Sequence, residues 1–222
     1  MAIPVPSVSV VVPVCGAQAS LEELVRRLFN VFDSIKRRFE IIMVNDDSSD
    51  RSWDIICQLA SKHPNILGIN LMRNFGQHNA LLCGIRAASY EVILTLDDDL
   101  QHPPEEIPKL LSKLSDDYDV VYGTPQKQQH GLFRDIASQI TKLTLQHAMG
   151  AQTARNISAF RAFRTQLREA FALFHGPFVS IDVLLTWGTS RFCAIPVRHE
   201  PRTVGVSNYT IRKLLTHCFN MM

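Results

Sequence analysis

Val92-Ile93-Leu94-Thr95-Leu96-Asp97-Asp98-Asp99-Leu100-Gln101-His102-Pro103-Pro104 is the stretch on which the reading of the chain turns. An apolar, β-branched run stops at three carboxylates. The run has the length and composition of a buried parallel strand. If the backbone stays extended beyond it, Asp97, Asp99 and Gln101 project to one side, and Asp98 and Leu100 to the other. Two carboxylates and an amide oxygen on one side suit a hard divalent cation, Mg2+ or Mn2+. Such a site would lie at the carboxyl end of a strand, where open α/β sheets bind ligands. A solvated turn before a helix begun by Pro104, Glu105 and Glu106 has the same composition, so the triplet alone leaves both readings open.

The segments before it alternate. Ser7 to Val14 reads as a strand. Ser20-Leu21-Glu22-Glu23 has the spacing of a capping box and opens a helix to about Arg38. Glu40 to Asn45 is a second strand, followed by the polar turn Asp46-Asp47-Ser48-Ser49-Asp50. Asp50 is placed to cap a helix from Arg51 to Lys62, which Pro64 ends. Ile66 to Leu71 is a third strand. The loop Arg73-Asn74-Phe75-Gly76 leads into a helix from Gln77 to Ser89. After the acidic stretch come a helix from Glu105 to Leu114 and a short strand from Asp119 to Tyr122. Strands and helices in this order predict a doubly wound parallel sheet for residues 1–123, with the loops that follow strands along one edge. Pro13-Val14-Cys15-Gly16-Ala17 carries neither GxGxxG nor a P-loop, which argues against a dinucleotide enzyme or an NTPase.

The second half is less regular. Gly123 to Gly131 is a Gln-rich loop whose length and composition suggest mobility. Phe133 to Met149 reads as a helix, Ile157 to Phe163 as a strand and Thr165 to Phe174 as a short helix. A further apolar segment runs through Trp187, and Arg191 to His199 reads as a strand. Glu200 to Asn208 is a loop. Tyr209 to Met222 places Ile211, Leu214, Leu215, Cys218, Phe219 and Met222 on one helical face, an amphipathic pattern that suits either the chain's own core or a membrane surface.

Composition bounds these readings. The chain has 222 residues, 46% hydrophobic, with a formal net charge of +2, enough for one sizeable core and no signature of nucleic-acid binding. Five scattered cysteines without a CxxC pair read as buried free thiols. No signal peptide is visible, and no apolar run reaches the ~18 residues a membrane span needs.

With these stretches in place the chain resembles the family-2 inverting glycosyltransferases of the GT-A fold, and within them the dolichyl- or undecaprenyl-phosphate sugar transferases. The segments that carry this are VSVVVPV, EIIMVNDDSSD, LMRNFGQHNALLCGIRAA, VILTLDDDLQHPPEEIPKLL, YDVVYG, SAFRAFR and HEPRTVGVSNYT. They occur in the family's order and cover most of the chain. The resemblance implies a Rossmann-like, mostly parallel sheet flanked by helices. It also implies a catalytic domain over residues 1–208 and an amphipathic C-terminal helix over 209–222. A continuation into transmembrane helices is expected.

The resemblance also implies roles. Asp97, Asp99 and Gln101 match the family's metal site. Asp97, Pro13, Val14, Asp46, Gly76 and Gln77 would meet the nucleotide sugar, with Asp46 recognising the base. Arg134, Ser138, Arg202 and Ser207 would meet an acceptor phosphate. Asp97, Asp99 and Arg202 form the catalytic set. The donor is expected to be a UDP-sugar before a GDP- or dTDP-sugar, and the acceptor a polyprenyl phosphate at the cytoplasmic face of a membrane. A homo-oligomer is compatible with this. The sequence departs from the family in five places, one of them the Thr124-Pro125 region, which replaces the Arg expected after YG, with Lys127 near. Cys15-Gly16-Ala17 stands for Tyr-Asn-Glu, Asn45-Asp46-Asp47-Ser48 for DDGS, Asp98 for the middle Ala of DxD, and Ser207-Asn208-Tyr209 for SKY.

The residue types suit this chemistry. A divalent cation would neutralise the leaving diphosphate. Arg134 and Arg202 would position an anionic acceptor. A hydroxyl acceptor would instead need a carboxylate base, for which Asp182 and Asp98 are the candidates. His78 reads as a structural hydrogen-bonder, and Trp53 and Trp187 read as core. The rival classes are a sugar nucleotidyltransferase, which wants a Gly-rich basic loop after the first strand, and a non-catalytic relative that binds nucleotide, a partner or a membrane.

Overall fold

A computed structural model describes residues 6–114, 117–125, 156–176 and 179–201. The elements follow in the order β1 (Val8–Val14), α1 (Leu21–Ser34), β2 (Phe39–Asn45), α2 (Ser52–Lys62), β3 (Ile66–Asn70), α3 (Gln77–Ala87) and β4 (Val92–Thr95). A 3-10 turn (Pro104–Glu106) leads into α4 (Ile107–Lys113). Then come β5 (Val120–Pro125), β6 (Arg161–Arg164), a second 3-10 stretch (Thr165–Phe171), α5 (Ile181–Gly188) and β7 (Phe192–Val197).

The seven strands form one sheet in the order β3-β2-β1-β4-β6-β5-β7. The strands β1 to β4 are mutually parallel, as expected from the alternation of elements. The expectation fails at β5. It does not lie beside β4, because β6 enters between them and pairs antiparallel with both. Hydrophobic periodicity identifies strands but carries no information about their order. The sheet is therefore mixed, with β7 parallel to β5 at the far side.

Alternation along β1 divides the core between two faces. Val8, Val10, Val12 and Val14 pack with α1, α2 and α4, while Val11 packs with α3 on the other face. Close approach on that second face requires Gly84 in α3. A Cβ there would stand 2.4 Å from Val11 Cγ1.

The capping box of α1 is not formed. Ser20 already has a helical backbone and turns its Oγ back to donate to the Ala17 carbonyl, while Glu23 accepts from Arg26. Six buried apolar side chains hold the helix instead, each contributing about 1.5–3 kcal/mol against ~1 kcal/mol for a cap. The helix also stops four residues short of Arg38. Lys36 takes φ 50°, Lys36 N–H donates to Asp33 O and Arg37 N–H to Phe32 O, a Schellman ending without its usual glycine. Before α2, Asp50 Oδ1 accepts the Ser52 N–H and hydroxyl, one residue upstream of the N-cap position.

The cysteine expectation is corrected in part. The four described cysteines are free thiols, but Cys15 and Cys57 are exposed, at a strand end and on the outer side of α2. Trp53 packs against the core as expected, whereas Trp187 is 54% exposed and meets Phe174 edge-on. Among the described residues no helix is long and apolar enough to cross a membrane. The expected helices over 133–149 and 209–222 lie outside the described residues. So does most of the Gln-rich loop, whose first residues, Gly123 to Pro125, belong to β5.

Candidate active site

Parallel pairing brings the carboxyl ends of β1, β2 and β3 into line, with Val14 opposite Asn45 and Asn45 opposite Asn70. The β4 end lies on the other side of β1, where Val11 pairs with Thr95. The loops that follow these strands are bonded to one another. Asp46 is 3% exposed, and its two carboxylate oxygens accept the N–H groups of Phe75 (2.7 Å) and Gly76 (2.8 Å). Asn74 Nδ2 donates to the Asp46 carbonyl at 3.0 Å. The residue expected to read the base is thus engaged in holding the loop before α3. Gly76 is needed there for its φ of 89°, since a Cβ would meet nothing within 4 Å.

The acidic turn is tied to the same loops. Gln77 Nε2 donates to Asp97 Oδ1 at 2.6 Å, and the Cys15 N–H to Asp98 Oδ2 at 3.1 Å. The extended backbone assumed for Asp97, Asp99 and Gln101 is not found. Leu96 still bonds Val11 O, then the chain turns at Asp98 and Asp99, and Leu100 takes φ 61°. Burial of Leu100 in the core offsets the ~1–2 kcal/mol of that conformation. Asp99 Oδ1 closes the turn by accepting the Gln101 N–H at 3.1 Å. Pro13 and Val14 are buried, and the residues of this strand end open to solvent are Cys15 and Gly16. Asp47, at the place of the glycine in DDGS, has φ 56°, in the left-handed region that favours glycine.

Behind the turn lies a buried polar cluster. Arg161 of β6 is 2% exposed, pairs with Asp182 at the start of α5, and donates to Thr95 Oγ1 at 3.2 Å. The Tyr122 hydroxyl donates to the same Asp182 oxygen at 2.9 Å. Burial and then the Asp182 charge push the Tyr122 phenol well above its ordinary pKa. Asp182, named from the sequence as a possible base, is therefore a buried partner of Arg161. Asp98, the other candidate, accepts from the Cys15 backbone. His78 is the hydrogen-bonder expected of it, its Nδ1 accepting the Ile181 N–H at 3.3 Å.

The donor set fits a magnesium-like cation. Among the described residues no three His, Cys, Asp or Glu side chains form a closed metal cage. Mg2+ and Mn2+ in phosphate-transfer sites typically take one or two carboxylates and complete their shell from substrate phosphates and water. Asp97 and Asp99 would supply such a pair. Arg134, Ser138, Arg202 and Ser207 lie outside the described residues.

The Glycosyl transferase family 2 sequence profile matches residues 9–173. All 222 residues align at 36% identity with the undecaprenyl-phosphate 4-deoxy-4-formamido-L-arabinose transferase of Salmonella choleraesuis, covering 68% of that protein. The chain belongs to glycosyl transferase family 2. The counterpart from Salmonella typhimurium is similar to the same extent, again 36% identical over 68% of its length. Solved structures share the GT-A fold. Glucosyl-3-phosphoglycerate synthase of Mycobacterium tuberculosis, crystallised with Mn2+, UDP and phosphoglyceric acid, superposes with a TM-score of 0.68 at 17% identity. That likeness covers 96% of this chain and 75% of the other. S. aureus TarS 1-349 gives 0.61 at 17% identity, over 86% of this chain and 60% of its own.

Two features of this family-2 chain escaped sequence reasoning. Arg161 stands in SAFRAFR as a charged residue whose neighbours, Phe160, Ala162 and Phe163, are fully buried. A charge inside such a run is a signal for a buried pair, though not for its partner. The second is Glu106, 2% exposed, which accepts from Arg198 Nε at 2.8 Å and from Lys109 at 2.5 Å. Nothing in the local pattern separates it from the half-exposed Glu105.

Proposed function

We propose that this chain transfers a sugar from a nucleotide-sugar donor, a UDP-sugar first, to a polyprenyl phosphate at a membrane surface. The observation that carries this is the Asp97–Asp99 turn at the carboxyl edge of the parallel strands. It is braced by Gln77 and Cys15, in a chain that aligns over its whole length with undecaprenyl-phosphate sugar transferases.

Asp97, Asp99 and Gln101 would hold Mg2+ or Mn2+, which neutralises charge on the leaving diphosphate. Gln77 fixes the orientation of Asp97, and the Asp46-held loop sets where α3 begins beneath the donor. Arg202 and Arg134, with Ser138 and Ser207, would hold the acceptor phosphate for in-line attack. A phosphate monoester arrives ionised near neutral pH. The two carboxylates considered as bases accept from Arg161 and Tyr122, or from the Cys15 N–H, and that commitment favours such an acceptor over a hydroxyl. The apolar stripe of Tyr209 to Met222, with Arg212 and Lys213 off it, suits the cytoplasmic surface of a membrane.

The test is turnover of UDP-, GDP- and dTDP-sugars with Mn2+, with and without undecaprenyl phosphate. Product is expected with a UDP-sugar and the lipid phosphate. It is expected to vanish with EDTA, in Asp99→Asn, and in Arg202→Ala with donor binding retained. Transfer to a soluble glycan in preference to the lipid would overturn the acceptor assignment. Nucleotide affinity indifferent to EDTA would overturn the metal.

A further inference from the structure

The acidic turn has a second neighbour, the chain that leaves β7. Three successive residues of it touch the stretch 101–106. Arg198 donates its Nε to Glu106 Oε1 at 2.8 Å and its N–H to Oε2 at 3.3 Å. The His199 ring meets that of His102 edge-on, centroids 5.1 Å apart. The Glu200 N–H donates to the Gln101 carbonyl at 2.8 Å. Arg27 of α1 braces both sides, hydrogen-bonded to Glu105 and 3.6 Å from Glu200.

The buried member of this strap is Glu106. Its side chain is 3% exposed, whereas those of Arg198 and Lys109 are 58% and 52% exposed. A carboxylate costs free energy to bury, and an apolar side chain would fill the same space without that cost. Burial alone would raise its pKa, and hydrogen bonds from Lys109 and Arg198 outweigh this and hold it below the ordinary value. Buried ionic groups of this kind are best attested in fixing register. What is fixed here is the exit of the chain at Pro201. Pro201 directly follows Glu200, whose N–H is bonded to the Gln101 carbonyl.

We infer that Glu106 is a positioning residue for sugar transfer, clamping residues 198–200 to the acidic turn, so that the chain departs toward Arg202, proposed above to hold the acceptor phosphate, from a fixed point. This rests on the function proposed above, and it makes Glu106 act through its neighbours without touching substrate.

The test uses the full chain with Mn2+, UDP, a UDP-sugar and undecaprenyl phosphate. Three variants are compared: Glu106→Gln, Arg198→Gln, whose side chain is exposed enough to leave folding intact, and Lys109→Met. Hydrogen exchange is read at the Arg198 and Glu200 N–H groups, alongside Mn2+-UDP affinity, kcat and KM. Glu106→Gln and Arg198→Gln are expected to lose protection at both amides at least tenfold. Their kcat should fall at least tenfold while Mn2+-UDP affinity and donor KM stay within twofold. Lys109→Met leaves both Arg198 bonds to Glu106 in place, so protection at the two amides should stay within twofold. Glu106→Gln combined with Arg202→Ala should be no slower than Arg202→Ala alone. Retained protection in Glu106→Gln and Arg198→Gln would overturn the clamp. Lost protection with unchanged kcat, or additive losses in the double variant, would overturn the positioning role. A wild-type chain that binds Mn2+-UDP but transfers nothing to the lipid would sink the proposed acceptor, and the exchange experiment would still decide whether Glu106 clamps.

Discussion

Gln77 donates its side-chain amide to Asp97 across 2.6 Å, joining the first residue of α3 to the first carboxylate of the acidic turn. If Asp97 is a metal ligand, as proposed, this bond fixes the direction of its carboxylate. Partners that orient a metal ligand commonly change metal affinity by 10–100-fold. Gln77→Ala is therefore expected to weaken Mn2+-dependent UDP binding by roughly tenfold or more, while the far-ultraviolet circular dichroism stays that of the wild type. Calorimetric titration with and without EDTA checks this. Affinity equal to wild type would mean that Asp97 is not a ligand or needs no orienting.

Gly84 faces Val11 where α3 crosses β1. Alanine is the better helix former by about 1 kcal/mol, yet its Cβ would meet Val11 Cγ1 at 2.4 Å and Val44 Cγ2 at 3.2 Å. Gly84→Ala is expected to destabilise the protein by about 1–3 kcal/mol. Adding Val11→Ala should return part of the loss. Urea unfolding of the two variants measures both, and a Gly84→Ala protein as stable as wild type would show that the strand has room to shift.

Lys36 sits in the left-handed conformation at the end of α1, where glycine is usual. Lys36→Gly is expected to raise stability by about 1 kcal/mol, the side-chain cost of that conformation less the backbone entropy of glycine. Thermal unfolding should show a midpoint higher by a few degrees, with no change in nucleotide binding.

Legibility in the sequence followed the physics. The four parallel strands and their helices were readable because each buries a face with its own period. The acidic turn was readable because three carboxylates break an apolar run at a strand end and occur in a stretch that matches a family motif. The end of α1 was not, since Lys36 replaces the glycine that marks such an ending. The turn at Leu100 was hidden for the same reason, a side chain standing in a conformation it rarely adopts. The bracing bonds of Asp182 and Asp46 were hidden, because a buried partner such as Arg161, or a backbone N–H from residues 75 and 76, leaves no mark near them in sequence.

Asp119 carries a pH dependence. It is 5% exposed and accepts from Arg191 Nη2 at 2.6 Å and from Thr189 Oγ1 at 2.7 Å, with Arg164 at 3.3 Å. The Arg191 hydrogen bond is the main cause that holds its pKa below the ordinary carboxylate value. A depressed folded pKa means that the unfolded chain binds the proton more readily. The contribution to stability is thus complete above the unfolded carboxylate pKa of about 4, and is lost as pH falls through the lower folded pKa. Asp119→Asn is expected to cost about 1–3 kcal/mol at pH 7 and to unfold with a shallower dependence on pH below 4. Identical pH slopes in the two proteins would assign the acid sensitivity to other carboxylates.

The insertion of β6 has a consequence for the order of folding. The strands β1 to β4 are linked by short local crossovers and can pair as they emerge. The edge of β4 cannot be covered until β6 arrives, more than sixty residues later, and only then do β5 and β7 gain a connection to the rest of the sheet. Four residues, Arg161 to Arg164, join two blocks that would otherwise be separate. Contacts of such long sequence separation form slowly because loop closure must precede them. The Arg161–Asp182 pair depends on the same long-range closure, so the back of the acidic turn is built from strands and helices far apart in sequence.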